Sequence, residues 1–300
     1  MALPIVHHPA FCAHLPAHHR FPMGKFRRLS EVLVEQGLAT VQSYHEPVLA
    51  SAGWIALAHD TRYVDQVLLG KVPDKVAREI GFPVGGEIAN RARAATGGTV
   101  LTAMLALEYG IACNTAGGSH HARREQGAGF CVFNDVAVAA RVLQRDRLVR
   151  DVLIVDCDVH QGDGTADIFA GDDSVFTCSI HAERNYPVRK VASDLDVALP
   201  DATGDGTYLE LLADLLPSLL DRLKPQIVFY NAGVDPHRDD RLGRLALSDE
   251  GLAQRDRFVI QEVRRRNIPL AGVIGGGYAT DVDTLARRHA TLHREAAEFV

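Results

Sequence analysis

The chain has little of what marks secreted, membrane-bound or nucleotide-binding proteins. Five cysteines, Cys12, Cys113, Cys131, Cys157 and Cys178, are scattered through 300 residues with no CxxC spacing. The count is odd and three of them lie inside apolar runs. That predicts reduced thiols rather than a disulfide framework, and with them a cytoplasmic location. No apolar stretch approaches about 18 residues, and the N-terminus has no signal-peptide pattern, so no membrane span or export leader is expected. Basic residues do not predominate. The 32 Lys and Arg against 38 Asp and Glu leave a formal charge of −6, which gives no drive toward nucleic acid or anionic lipid. Glycine runs occur, but none spells GxGxxG or GxxxxGK[ST], so no phosphate cradle is expected. Repeats, low-complexity tracts and linker-like boundaries are missing as well, and residues 1–300 read as one domain.

What is present is an alternation. Ile5–His7 reads as a short first strand, and the His-, Pro- and Arg-rich stretch from His14 to Phe26 as a loop. Five histidines fall between His7 and His19 without acidic or cysteine company, and are expected to be surface or loop residues. Helical patterns run over Lys25–Gln36 and about Arg91–Leu107, stopped by Gly37 and Gly110. Strands are then expected at Ile111–Ala116, Val152–Asp158, Ser174–Ile180, Gln226–Ala232 and Leu270–Ile274. Helices fall between or after them, at Asn134–Arg145, just past Gly164, and at Tyr208–Leu223, Glu250–Arg265 and Val282–Ala297. Strands separated by helices predict an α/β fold, a three-layer α/β/α sandwich with a mostly parallel central sheet.

The chemistry is concentrated just past those strands. Val152–Val155 is a buried-strand pattern that breaks into Asp156, Asp158, His160 and Asp163. Alternate residues of an extended segment point the same way, so Asp156, Asp158 and His160 can converge. Gly117-Gly118-Ser119-His120-His121, Ser179-Ile180-His181, Asn231–Asp235 and Gly275-Gly276-Gly277-Tyr278 end other strands. A parallel sheet brings all these ends to one edge, where open α/β sheets bind ligands. Asp158, His160 and Asp235 then offer one nitrogen and two oxygens to a cation. Zinc, iron(II), cobalt and manganese suit such a set about equally. His120 and His121 can serve as general base and acid, with Asp156 and Asp163 as the spare carboxylates that orient them. Tyr278 can donate to an oxyanion.

The residues resemble the histone deacetylase superfamily, within the arginase–deacetylase fold. The motifs are GGSHHA (117–122), GAGFCVFND (127–135), DCDVHQGDGT (156–165), NAGVD (231–235), DDRLG (239–243) and GGGY (275–278). HHRFPMGKF (18–26) and GFPVGGEIANRARAATGGT (81–99) look most like the class IV branch and its bacterial relatives.

The resemblance implies zinc, with iron(II) as the other candidate, on Asp158, His160 and Asp235. His121, paired with Asp163, would be the main general base and acid, and His120, paired with Asp156, its electrostatic partner. Asp163 is expected to raise the basicity of His121. A potassium ion sharing the charge of Asp156 is expected to leave His120 the less basic. Tyr278 would polarise the acyl carbonyl, and the Gly129 carbonyl would accept the amide N–H. Phe130 and Tyr186 would wall an acyl-lysine channel, with Leu242 at its rim and Arg20 in an inner acetate-exit cavity. One potassium site would use Asp156, Asp158, His160, Ser179 and Ile180, and a second Phe169, Asp172 and Val175. The loop His181–Pro187 replaces a glycine-rich turn of class I relatives, and no rim aspartate is placed, which argues against a histone tail. Leu242 stands where polyamine-directed relatives carry a glutamate.

The function expected is therefore a metal-dependent amide hydrolase acting on N-ε-acyl-lysine or a related acylated amine. The alternatives are an acylpolyamine or other small-molecule deacetylase, a binuclear manganese ureohydrolase, and a non-enzymatic acyl-amine binder.

Overall fold

Why the sheet forms is clearest at its centre. Val152–Asp156 (β3) is buried at every position, and its apolar side chains serve both faces. Ile227–Asn231 (β6) pairs with it on one side and Val175–Ala182 (β4) on the other, both parallel. Beyond β6 lie Leu270–Val273 (β7), Ile111–Asn114 (β2) and Ile5–Val6 (β1). Beyond β4 lies Leu195–Leu199 (β5). The order is β1-β2-β7-β6-β3-β4-β5, with every pairing parallel. The computed structural model describes residues 2–16 and 18–300. Ala17, inside the loop expected from His14 to Phe26, lies outside the described residues.

Ten α-helices are present among the described residues. Gly86–Tyr109 (α5) packs on Asp135–Arg145 (α6) and on β2 and β7. Val282–Ala297 (α10) packs between Lys25–Glu35 (α1) and Asp249–Arg264 (α9), and α9 packs on Asp205–Leu223 (α8). β2 touches both α5 and α10, so the sheet is covered on its two faces as expected. Gly110, at φ 87, ends α5 in the left-handed conformation that glycine adopts without strain.

Several elements were not anticipated. Pro9–Phe11 forms a 3-10 turn, and Ala52–Ile55 (α2), Thr61–Leu68 (α3) and Asp74–Ile80 (α4) are short helices. Strand β5 was also missed, since it is a half-exposed edge strand with no continuous apolar run. Asp163–Phe169 (α7) starts at Asp163, one residue ahead of Gly164.

Register then sets the site. Asp156, the last residue of β3, lies opposite Ser179 and Asn231 on its two neighbours. The chemically rich segments leave their strands together at the carboxyl edge. The amino edge is closed by amides instead. Gln226 Oε1 accepts the N–H groups of Arg150 at 2.7 Å and Asp151 at 3.1 Å. Gln144 Nε2 donates to the Arg150 carbonyl at 2.8 Å and to Ser174 Oγ at 2.9 Å. No helix is long and apolar enough to cross a membrane among the described residues, and all five cysteines are free.

Candidate active site

Asp158 and His160 leave β3, and Asp235 leaves β6. Their ligand atoms lie within 4.8 Å of one another, and all three residues are buried. His160 Nδ1 is 3.0 Å from Asp158 Oδ1 and 3.1 Å from Asp235 Oδ2. Backbone amides hold the outer oxygens. Gly276 N donates to Asp158 Oδ2 at 2.7 Å and Val159 N to Asp235 Oδ1 at 2.9 Å. Only glycine fits at 276, because a Cβ there would strike both carboxylates. Burial and the charge of Asp158 push the Asp235 carboxyl up to about 7. His160, despite burial, is raised to about 10 by the two carboxylates around it. Two buried carboxylates facing one imidazole nitrogen form a donor set that a divalent cation relieves, and the residues fit one.

The tandem histidines lie beside this cluster. His120 Nδ1 is 2.7 Å from Asp156 Oδ2, and His121 Nδ1 is 2.6 Å from Asp163 Oδ1. Protein charges alone order their basicity opposite to the expectation. Burial disfavours the charged form of both rings, but Asp156 and Asp158 raise His120 to about 9. Burial and the neighbouring charge of His120 lower His121 to about 4. The ring centroids are only 4.1 Å apart. Asp163 also helps His121 less than expected because Arg123 shares it, with Nη2 at 2.7 Å from Oδ2.

Tyr278 follows the glycine run, its ring 6.1 Å from that of His160 and 6.0 Å from that of Phe130. Burial, then the charges of Asp158 and Asp235, hold its phenol well above the ordinary value, so it stays a proton donor. Asp240 fixes its backbone. One carboxylate accepts Tyr278 N at 2.7 Å, Leu242 N at 2.8 Å and Gly243 N at 3.0 Å.

A cleft of about 420 Å³ opens onto these groups, lined by His121, Gly129, Phe130, Tyr186, Leu242 and Tyr278 among others. Tyr186 stands edge-on to His121 at 4.8 Å. Behind lies an inner cavity of about 30 Å³, bordered by His120, His121, Phe130, Cys131 and Tyr278. Arg20 does not reach it, being exposed at the outer cleft instead. The arginine facing the inner cavity is Arg91, from α5, stacked 4.8 Å from Phe26. Lys25, also buried, donates to the Gly275 carbonyl at 3.1 Å, and burial lowers it to about 8. Arg20 is only five residues from Lys25 in sequence, but the chain turns into α1 between them.

The residues expected to hold potassium fall in two places. Asp156 and Ser179 are register partners at the strand ends, and Asn231 Nδ2 donates to Asp156 Oδ1 at 2.9 Å. Phe169, Asp172 and Val175 are linked by backbone hydrogen bonds, Asp172 N to the Phe169 carbonyl and Val175 N to the Asp172 carbonyl. The Asp172 carboxylate is 2.6 Å from Arg141.

Sequence reasoning gave no role to Arg123, Asp240, Asn231 or Arg255. Asn231 and Asp240 lie inside motifs already quoted, and Arg123 directly follows one. Arg255, fully buried on α9, donates to the carbonyls of Cys157 at 3.2 Å and Gly233 at 2.7 Å, tying together the segments that carry Asp158 and Asp235. No local signal marks it.

Comparison with known proteins shows the family and the fold. A histone deacetylase domain model matches residues 19–294. An uncharacterized protein of Picosynechococcus sp. is 47% identical over 298 residues, covering 99% of each chain. Histone deacetylase 2 of Arabidopsis thaliana is 30% identical over 269 residues, covering 87% of this chain and 70% of its own. A probable deacetylase of Methanothermobacter thermautotrophicus is 28% identical, covering 97% and 89%. The crystal structure of an HDAC homolog complexed with SAHA superposes with a TM-score of 0.84 at 22% identity, covering 100% of this chain and 85% of its own. The HDA15 HD domain superposes with a TM-score of 0.83 at 20% identity, covering 99% and 89%. The fold is thus the arginase–deacetylase fold.

Proposed function

Because the chain belongs to the histone deacetylase family, we propose that it is a metal-dependent deacylase that hydrolyses the amide of N-ε-acyl-lysine or a related acylated amine. The observation that carries this reading is convergence. Asp158, His160, His120, His121 and Tyr278 line one cleft and the cavity behind it, and Asp235, Asp156 and Asp163 back the three histidines by hydrogen bonds.

Asp158, His160 and Asp235 would hold zinc or iron(II), which when bound lowers the pKa of water and polarises a carbonyl. The chain's own groups supply the rest. His121, uncharged near neutral pH, faces the cleft and would take the proton from the attacking water. It would later return a proton to the leaving amine. His120, borne by Asp156, would provide positive charge beside the developing oxyanion, and potassium near Asp156 would temper it. Tyr278 O–H would donate to that oxyanion. The Gly129 carbonyl would accept the substrate amide N–H. Phe130 and Tyr186 would flank the methylene chain, with Leu242 at the rim, and Arg91 and Lys25 would attract the released carboxylate into the inner cavity.

Elemental analysis should find about one divalent metal per chain, and chelation should abolish release of acetate from acetyl-lysine, with activity restored by metal. Turnover that persists after complete chelation would overturn the reading.

A further inference from the structure

The outer cleft has a charge opposite to that of the chain. The molecule carries −6 overall, yet four arginines, Arg20, Arg78, Arg184 and Arg244, line the cleft with Glu79 as its one acid. Arg244 is engaged by Asp201 at 3.1 Å. Glu79 accepts a hydrogen bond from Gln126 at 2.6 Å. Arg20, Arg78 and Arg184 are exposed, and among the described residues none of them pairs with a carboxylate.

These three come from separate segments, the loop before α1, the last turn of α4 and the loop after β4. They therefore reach the cleft from three separate parts of the chain rather than from one face of a helix. The deeper wall, with Phe130, Tyr186 and Leu242, suits a methylene chain. A cleft with fixed charge of one sign concentrates ligands of the other and repels its own. Guanidinium groups in particular bind carboxylates and phosphates through paired N–H donors.

We propose that this entrance selects acylated amines whose remainder is anionic, an acyl-lysine among carboxylates or a small acyl-amine acid, and disfavours cationic substrates. The proposal rests on the deacylase reading and names the substrate class of the same cleft.

The test compares kcat/KM of the metal-loaded protein on end-blocked acetyl-lysine peptides flanked by Glu, Gln or Lys. A second pair, 6-acetamidohexanoate against 6-acetamidohexanamide, asks whether a lone small-molecule carboxylate suffices. At low ionic strength the Glu peptide should exceed the Gln peptide by about tenfold, and the Lys peptide should fall below both. High salt should compress the differences, because the charges are exposed. In the R78E/R184E variant the order should reverse. Preference for the Glu peptide alone assigns the selection to acidic polypeptides, and equal preference for the small carboxylate assigns it to small acids. Glu and Gln peptides turned over alike at low salt, or an order unchanged by charge reversal, would overturn the selection while leaving the deacylase reading intact. A fully metallated protein that turns over no member of the series would remove both.

Discussion

Asp163 is shared between His121 and Arg123. Its Oδ1 meets the His121 ring at 2.6 Å, and its Oδ2 meets the Arg123 guanidinium at 2.7 Å. The arginine neutralises part of the carboxylate charge that would otherwise hold a proton on His121. Arg123→Gln should therefore raise the His121 pKa. The acid limb of the kcat/KM profile should move to higher pH by about one unit, while Arg123→Lys stays close to the parent. An unmoved limb would show that the guanidinium does not tune this ring.

The two histidines should differ in consequence. His121 borders both the cleft and the inner cavity, whereas His120 borders the inner cavity only. His121→Ala should remove nearly all turnover, and His120→Ala should keep a measurable remainder, both with metal bound. A greater loss for His120→Ala would reverse the assignment.

Replacing a proposed ligand has a different signature. Asp158→Ala, His160→Ala and Asp235→Ala should lose metal and activity together. A full metal complement in any of the three, measured by elemental analysis, would remove that residue from the ligand set.

Tyr278→Phe keeps the ring and its packing against Phe130 but loses one donor. It should lower kcat by about 10²–10³ without changing metal content. A change of only a few-fold would place the oxyanion donor elsewhere.

Acid sensitivity should arise partly away from the cleft. His59 accepts the Asn134 N–H on Nε2 at 2.9 Å, so its Nδ1 proton is donated to the Arg123 carbonyl at 2.8 Å. A second proton would set two N–H groups against each other. Burial lowers this ring to about 4 in the fold, against 6.5 ordinarily. Below the ordinary value the unfolded chain binds a proton that the folded chain refuses. The stabilisation is thus complete above that pH and falls as pH drops toward 4. Denaturant titrations of His59→Gln should show a loss between neutral and acid pH that is smaller by roughly 1–3 kcal/mol. Identical losses would mean that the ring takes no part.

Much of this was legible because parallel strands announce themselves. Val152–Val155 and Ile227–Tyr230 are unbroken apolar runs, and polar residues follow each directly. Once the strands are placed, parallel topology alone gathers Asp158, Asp235 and Tyr278. Other parts carry no such mark. β5 is half exposed, and α2, α3 and α4 are each only about one or two turns long. Arg91 and Arg255 look like ordinary charges on helices until packing buries them. The basicity of His120 and His121 depended on who shares each carboxylate, which spacing along the chain does not contain.

The amide-closed amino edge of the sheet has a practical consequence. Gln226 and Gln144 bind the starts of β3 and β4 on the side of the molecule away from the cleft. Leu148, half exposed in the turn between α6 and β3, belongs to this far side. A tether attached through a cysteine introduced as Leu148→Cys would anchor the protein to a support with its entrance turned outward. Large substrates could then be assayed on the immobilised protein without the support screening the cleft.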